Sequence, residues 1–159
     1  MDEAVQRLKT PAECEQFIKN VQEKFPDLVL EARRRAVELR AVTHGAETAA
    51  ENEALKAVYA YEEVLSAKRG RRTRASRTWQ MIKRHGIIGA VERAVNRKDE
   101  TTGYTTLIEM KMEDFAFEAV VLRHRELFSP ETVERAKIRM TGSVTVPPSA
   151  EEPTIPPVK

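Results

Sequence analysis

Lys68, Arg69, Arg71, Arg72, Arg74, Arg77, Lys83 and Arg84 fall in a stretch that contains no Asp or Glu. The chemistry open to such residues is the holding of phosphate. Arg presents a planar fork of N–H donors that matches two phosphate oxygens, and Lys adds a point charge. Thr73, Ser76 and Thr78 add hydroxyl donors of the kind that accompany phosphate contacts. Eleven Lys or Arg against one Glu give residues 68–98 a net charge of +10, while the whole chain carries +2, so the remainder sums to −8. Charge gathered in this way focuses a field on a polyanion, whereas solvated faces normally mix signs. Nucleic acid, DNA or RNA, is therefore the expected partner. The alternative is an acidic protein surface, met by a helical adaptor. A third reading pairs these cations with acids of the chain's own fold.

Other reactive residues are sparse. His44, His85 and His124 are remote from one another, and one cysteine gives no zinc-site spacing. His44 and His85 stand at expected helix C-termini, where the dipole favours a cation. Cys14 shares an apolar stripe with Phe17, Ile18 and Val21 and reads as a buried structural thiol. Glu109/Glu113 and Asp114/Glu118 are i, i+4 acid pairs without the Glu-x-x-His of helical metal sites, so a solvated acidic face is expected. No Gly-rich phosphate loop, Gly-x-Ser-x-Gly turn or His-Glu-x-x-His occurs. No catalytic residue, metal site or cofactor is expected.

Asp99 and Glu109-Met-Lys111 resemble the Asp…Glu-x-Lys signature of a large nuclease superfamily. The resemblance implies carboxylates that hold Mg²⁺ and a lysine that assists attack by water. Tyr104–Ile108 would be the strand that carries it. The chain departs from that pattern, with no proline before Asp99 and no convincing second strand. A helical seam through Ile108 and Met112 accounts for the same residues, so Mg-dependent nuclease activity is a minor alternative.

The elements that position these residues read as helices. Thr10-Pro11-Ala12-Glu13 offers an N-cap, a proline at the first position and a capping-box glutamate. A second helix runs from about Asp27 to His44-Gly45 and a third from about Thr48 to Ala67, before Gly70 breaks the pattern. Lys68–Arg72 then form an arm ahead of a fourth helix, expected from Thr73 to His85-Gly86 with Ala75, Trp79 and Ile82 on its core side. That places Trp79 in the core rather than on a base. A fifth helix covers Ile87–Arg97, and residues 99–105 read as a loop. Ile108, Met112, Phe115, Ala119 and Leu122 form a seam that can break near Lys111, and Ser129-Pro130 starts the last helix. Residues 73–97 match a helix-turn-helix only in outline. The second helix, Ile87–Val95, is mostly apolar where a recognition helix needs polar side chains, so backbone-led binding is expected.

Composition sets the frame. The 159 residues are 41% hydrophobic and 33% charged, which supports one packed domain and excludes disorder throughout. No apolar run approaches the ~18–20 residues of a membrane span. The acidic N-terminus and the single cysteine fit a cytoplasmic protein. Five of the eight prolines follow Thr141. The expectation is an all-α domain of six to seven helices over residues 8–140 and a disordered Pro-rich tail over 141–159. A homodimer would follow if the 108–122 seam were exposed.

Overall fold

The computed structural model describes residues 1–97 and 102–144. These residues are all-helical, as the periodicity predicts. The order is α1 (Glu3–Gln6), α2 (Pro11–Val21), α3 (Pro26–His44), α4 (Ala49–Arg69), α5 (Ser76–Asn96), α6 (Thr102–Glu109), α7 (Phe117–Arg123) and α8 (Pro130–Val144). Short 3₁₀ turns at Glu113–Phe115 and Arg125–Leu127 flank α7. The proline-rich stretch beyond Val144 lies outside the described residues, and α8 runs through Thr141, where the tail was expected to begin. No helix among the described residues is long and apolar enough to cross a membrane.

Local chemistry sets most of the boundaries. At α2 the Thr10 hydroxyl accepts from the Glu13 amide at 3.1 Å and the Glu13 carboxylate accepts from the Thr10 amide at 3.3 Å, which closes the predicted capping box. Thr48 caps α4 through the Glu51 amide at 3.1 Å. Gly45 (φ 84°) ends α3 and Gly70 (φ 72°) ends α4, both in backbone conformations that a Cβ disfavours. The N-terminal helix α1 has no apolar stripe to announce it. Asp2 caps it through the Ala4 amide at 2.7 Å, and Val5 is buried where α1 meets α3.

α4 is the central element. Its small residues Ala54, Ala57 and Ala60 are buried and let neighbouring helices approach closely. Ala60 and Val64 join Val37 of α3 and Tyr104 and Leu107 of α6 in one apolar cluster, with Met112 and Phe115 beside them. Ala54 joins Val91 and Val95 of α5, Val121 of α7 and Ala136 of α8 in another. One helix thus serves two cores, and each fully buried Val or Leu adds roughly 1.5–3 kcal/mol.

The region after residue 101 corrects two expectations. From Thr102 the chain is helical, where a loop was expected through residue 105. Tyr104 and Leu107, three residues apart, both enter the core, which a helical period allows and the strand alternative for Tyr104–Ile108 does not. The seam breaks at Lys111, the one non-glycine residue with positive φ among those described (56°). The Met112 amide donates to Leu107 O (2.8 Å) and the Lys111 amide to Ile108 O (3.0 Å), the two bonds of a Schellman ending. Met112, Phe115 and Ala119 of this seam are buried in the fold, while Ile108 and Leu122 are half-buried.

Candidate nucleic-acid interface

The basic segment spans the end of α4, a six-residue connector (70–75) and the first half of α5. Lys68 and Arg69 belong to the last turn of α4 instead of a loose arm, since Gly70 stops the helix only after them and its C-terminal dipole favours cations there. α5 starts at Ser76, three residues later than expected, which leaves Arg71, Arg72 and Arg74 on the connector. Side chains of α4 fix that connector. The Ser66 hydroxyl accepts from the Thr73 amide at 2.9 Å, and the Glu62 carboxylate accepts from the Ala75 amide at 2.9 Å.

The eight cations divide by what they touch. Arg72 is committed within the fold, 3.0 Å from both Glu15 and Glu63. Glu63 is buried and also binds Arg40 at 2.8 Å, and Arg40 reaches Glu15 at 2.6 Å. Lys68 makes a loose surface pair with Glu109 at 3.8 Å, worth about 0.5 kcal/mol at most. Arg74 places its guanidinium 5.2 Å from the Trp79 ring centre. Arg69, Arg71, Arg77, Lys83 and Arg84 are exposed and form no ion pair among the described residues.

Trp79 is half-buried, and the structure gives its ring to the protein itself. It stacks on His44 with centroids 5.4 Å apart and planes 16° apart, with Tyr59 tilted against it at 5.3 Å. Its Nε1–H donates to the Glu62 carboxylate at 2.5 Å. Glu62 is only 5% exposed and so ties both the indole and the connector to α4. The expected placement of His44 at a helix C-terminus is correct, but its stacking role has no signature in sequence, because Trp79 is 35 residues away.

Gly86 (φ 79°, ψ 169°) kinks α5. Met81 and His85 before the kink line the same recess as Glu92, Arg93, Asn96 and Arg97 after it, so the two halves fold toward each other. A second recess, of about 460 Å³, opens at the start of α5 and is lined by Arg69, Arg74, Arg77 and Arg97, with Ser76 and Thr78. None of the described residues that line it is acidic. Arg97 lines both recesses, which therefore adjoin. Arg93 and Arg97 add to the charge of the sequence but not to the expected site, because only the bend at Gly86 returns them to the basic segment.

The acids given other roles disperse. Asp114 forms a two-pronged pair with Arg34 at 2.9 and 2.5 Å, and that bond holds its carboxyl below the usual range. Glu118 is buried against Arg139 at 3.0 Å, while Glu109 faces Lys68. Glu53 takes Arg123 at 2.5 Å and His124 at 3.0 Å; burial opposes its charge, but these bonds prevail and lower its pKa. Among the described residues no group of three or more His, Cys, Asp or Glu side chains is placed to hold a metal ion. The Glu109-x-Lys111 pair sits at a helix end and not on a strand, and Asp99 lies outside the described residues. Cys14 is fully buried, and burial pushes its thiol pKa up, the condition of an inert structural cysteine. No family model, curated protein or solved structure matches the chain.

Proposed function

We propose that this protein binds nucleic acid through backbone phosphates, as a non-catalytic accessory or regulatory component. One observation carries this reading: five of the eight cations between Lys68 and Arg84 are exposed and form no ion pair among the described residues, in a stretch of sequence that contains no acid. Unpaired like charges repel one another and cost stability, and a polyanion that enters relieves that cost. The mostly apolar second half of α5 and the engagement of the Trp79 ring by His44 and Tyr59 both support contacts to phosphate over reading of base edges or stacking. A single buried cysteine suits a reducing compartment, and we place the protein in the cytoplasm.

Titration against labelled duplex DNA and single-stranded RNA at two salt concentrations tests the reading. The expected result is binding to at least one of them that weakens as salt rises. No binding at low salt would refute it and transfer the cations to an acidic protein partner.

A further inference from the structure

We propose that the recess at the start of α5 binds a terminal phosphate group, a dianion, and that a nucleic-acid strand end is its source. This deepens the function proposed above and rests on it for the choice of source. Arg69 comes from the last turn of α4, Arg74 from the connector, Arg77 from the first turn of α5 and Arg97 from just beyond its end. Arg69, Arg74 and Arg77, all exposed, thus come from three separate stretches of chain to one recess of about 460 Å³, with Arg97 at its edge and no acid among the described residues that line it. A folded protein tolerates such convergence at a cost in self-repulsion, which a concentrated negative charge relieves. An internal phosphodiester brings one charge. A terminal phosphate brings nearly two and three acceptor oxygens, a better match to forked donors.

The backbone adds to the arginines. No side chain caps the start of α5, and the amides of Ser76, Arg77 and Thr78 have no partner among the described residues. The first-turn amides and the positive end of the helix dipole favour an anion. The Ser76 and Thr78 side chains also line the recess. Glu62 is already engaged by the Ala75 amide and the Trp79 indole, Glu118 is paired with Arg139 at 3.0 Å, and neither is among the residues that line the recess.

The test uses the full chain and two probes. The first is a pair of short oligonucleotides, identical except for a phosphate or a hydroxyl at the 5′ end, with a matched pair for the 3′ end. The phosphorylated form should bind about tenfold tighter at one of the two ends, the value of one added charge-assisted contact. Arg77→Gln and Arg69→Gln should bring that ratio to one. Lys83→Gln should weaken both forms alike and keep the ratio. The second probe is inorganic phosphate, compared with chloride at equal ionic strength in thermal unfolding. Stabilisation that Arg77→Gln abolishes, without oligonucleotide binding, would keep the recess as a site for a small phosphate and refute the nucleic-acid source. Oligonucleotide binding with equal affinity for all ends, and no phosphate effect that depends on Arg77, would overturn the recess and leave the backbone-binding reading standing. Absence of both signals would refute both.

Discussion

The structure separates cations that are free to meet phosphate from one that is spent within the fold, and this difference can be read in salt dependence. Arg69, Arg71, Arg77, Lys83 and Arg84 are exposed without ion pairs among the described residues, while Arg72 is held by Glu15 and Glu63. If all five free cations contact duplex phosphates, log K should fall with log[salt] at a slope of about −4.5, or about −3.5 on a single strand. Between about 50 and 200 mM salt the duplex affinity should then drop roughly 500-fold. Replacing Arg69, Arg71 and Arg77 together with Gln should reduce the slope to about −1.8 and the drop to roughly 12-fold. That variant should unfold no earlier than the parent, because none of the three side chains makes an ion pair among the described residues and their removal relieves like-charge repulsion. Arg72→Gln should do the reverse. It leaves the slope intact and lowers stability by about 1 kcal/mol, since Glu63 is buried but retains Arg40. Fluorescence anisotropy at four or more salt concentrations measures the slopes, and urea unfolding measures the stabilities. A triple variant with the parental slope would refute the assignment of these cations to phosphate. A loss of slope in Arg72→Gln equal to that of the free arginines would refute the division itself.

Three further outcomes follow from the same contacts. Glu62→Ala strands the Ala75 amide and the Trp79 indole and should cost about 3 kcal/mol, with a shifted emission from the single tryptophan in urea unfolding; a cost under about 0.5 kcal/mol would remove Glu62 as the anchor of the connector. Gly86→Ala meets open space but a backbone conformation reserved for glycine, so it should lose about 1–3 kcal/mol and misalign Arg97 with Arg77, and an unchanged unfolding midpoint would refute this account of the kink. Asp114, Glu53 and Glu92 have pKa values lowered by folding. Their contribution is present above the unfolded carboxylate range, about 4, and is lost as pH falls through the lower folded values, so the thermal midpoint should decline between about pH 5 and 3. Arg34→Gln removes the hydrogen bond that does most to lower Asp114 and should shrink that decline; an identical decline in the variant would show that the pair is not the source.

What the sequence determined by itself is local. Thr10, Pro11 and Glu13 close a capping box in any context that lets the helix form, and Gly45, Gly70 and Gly86 mark breaks because their backbone angles exclude a Cβ. The stripes of α2, α4 and α5 are legible for the same reason: a 3.6-residue period needs no knowledge of the partner surface. The concentration of positive charge is legible because charge is counted without coordinates.

The tertiary structure alone decided which charges remain available. Glu15 and Glu63 meet Arg72 across 57 and 9 residues, and Glu62 reaches forward 13 and 17 residues to the start of α5. None of these four separations announces its contact in the sequence. Trp79, expected in the core, is half-buried, and its stack on His44 depends on α4 packing against both α3 and α5. The helix at Thr102–Glu109 formed against local turn residues because Tyr104 and Leu107 gain burial in a core built by α3 and α4. The recess of four arginines has the same origin. Arg77 and Arg97 are 20 residues apart, and only the fold of α5 at Gly86 makes them neighbours of one cavity. Periodicity and composition act between residues close in sequence, whereas ion pairing, stacking and convergence of charge depend on distance in space, which packing sets.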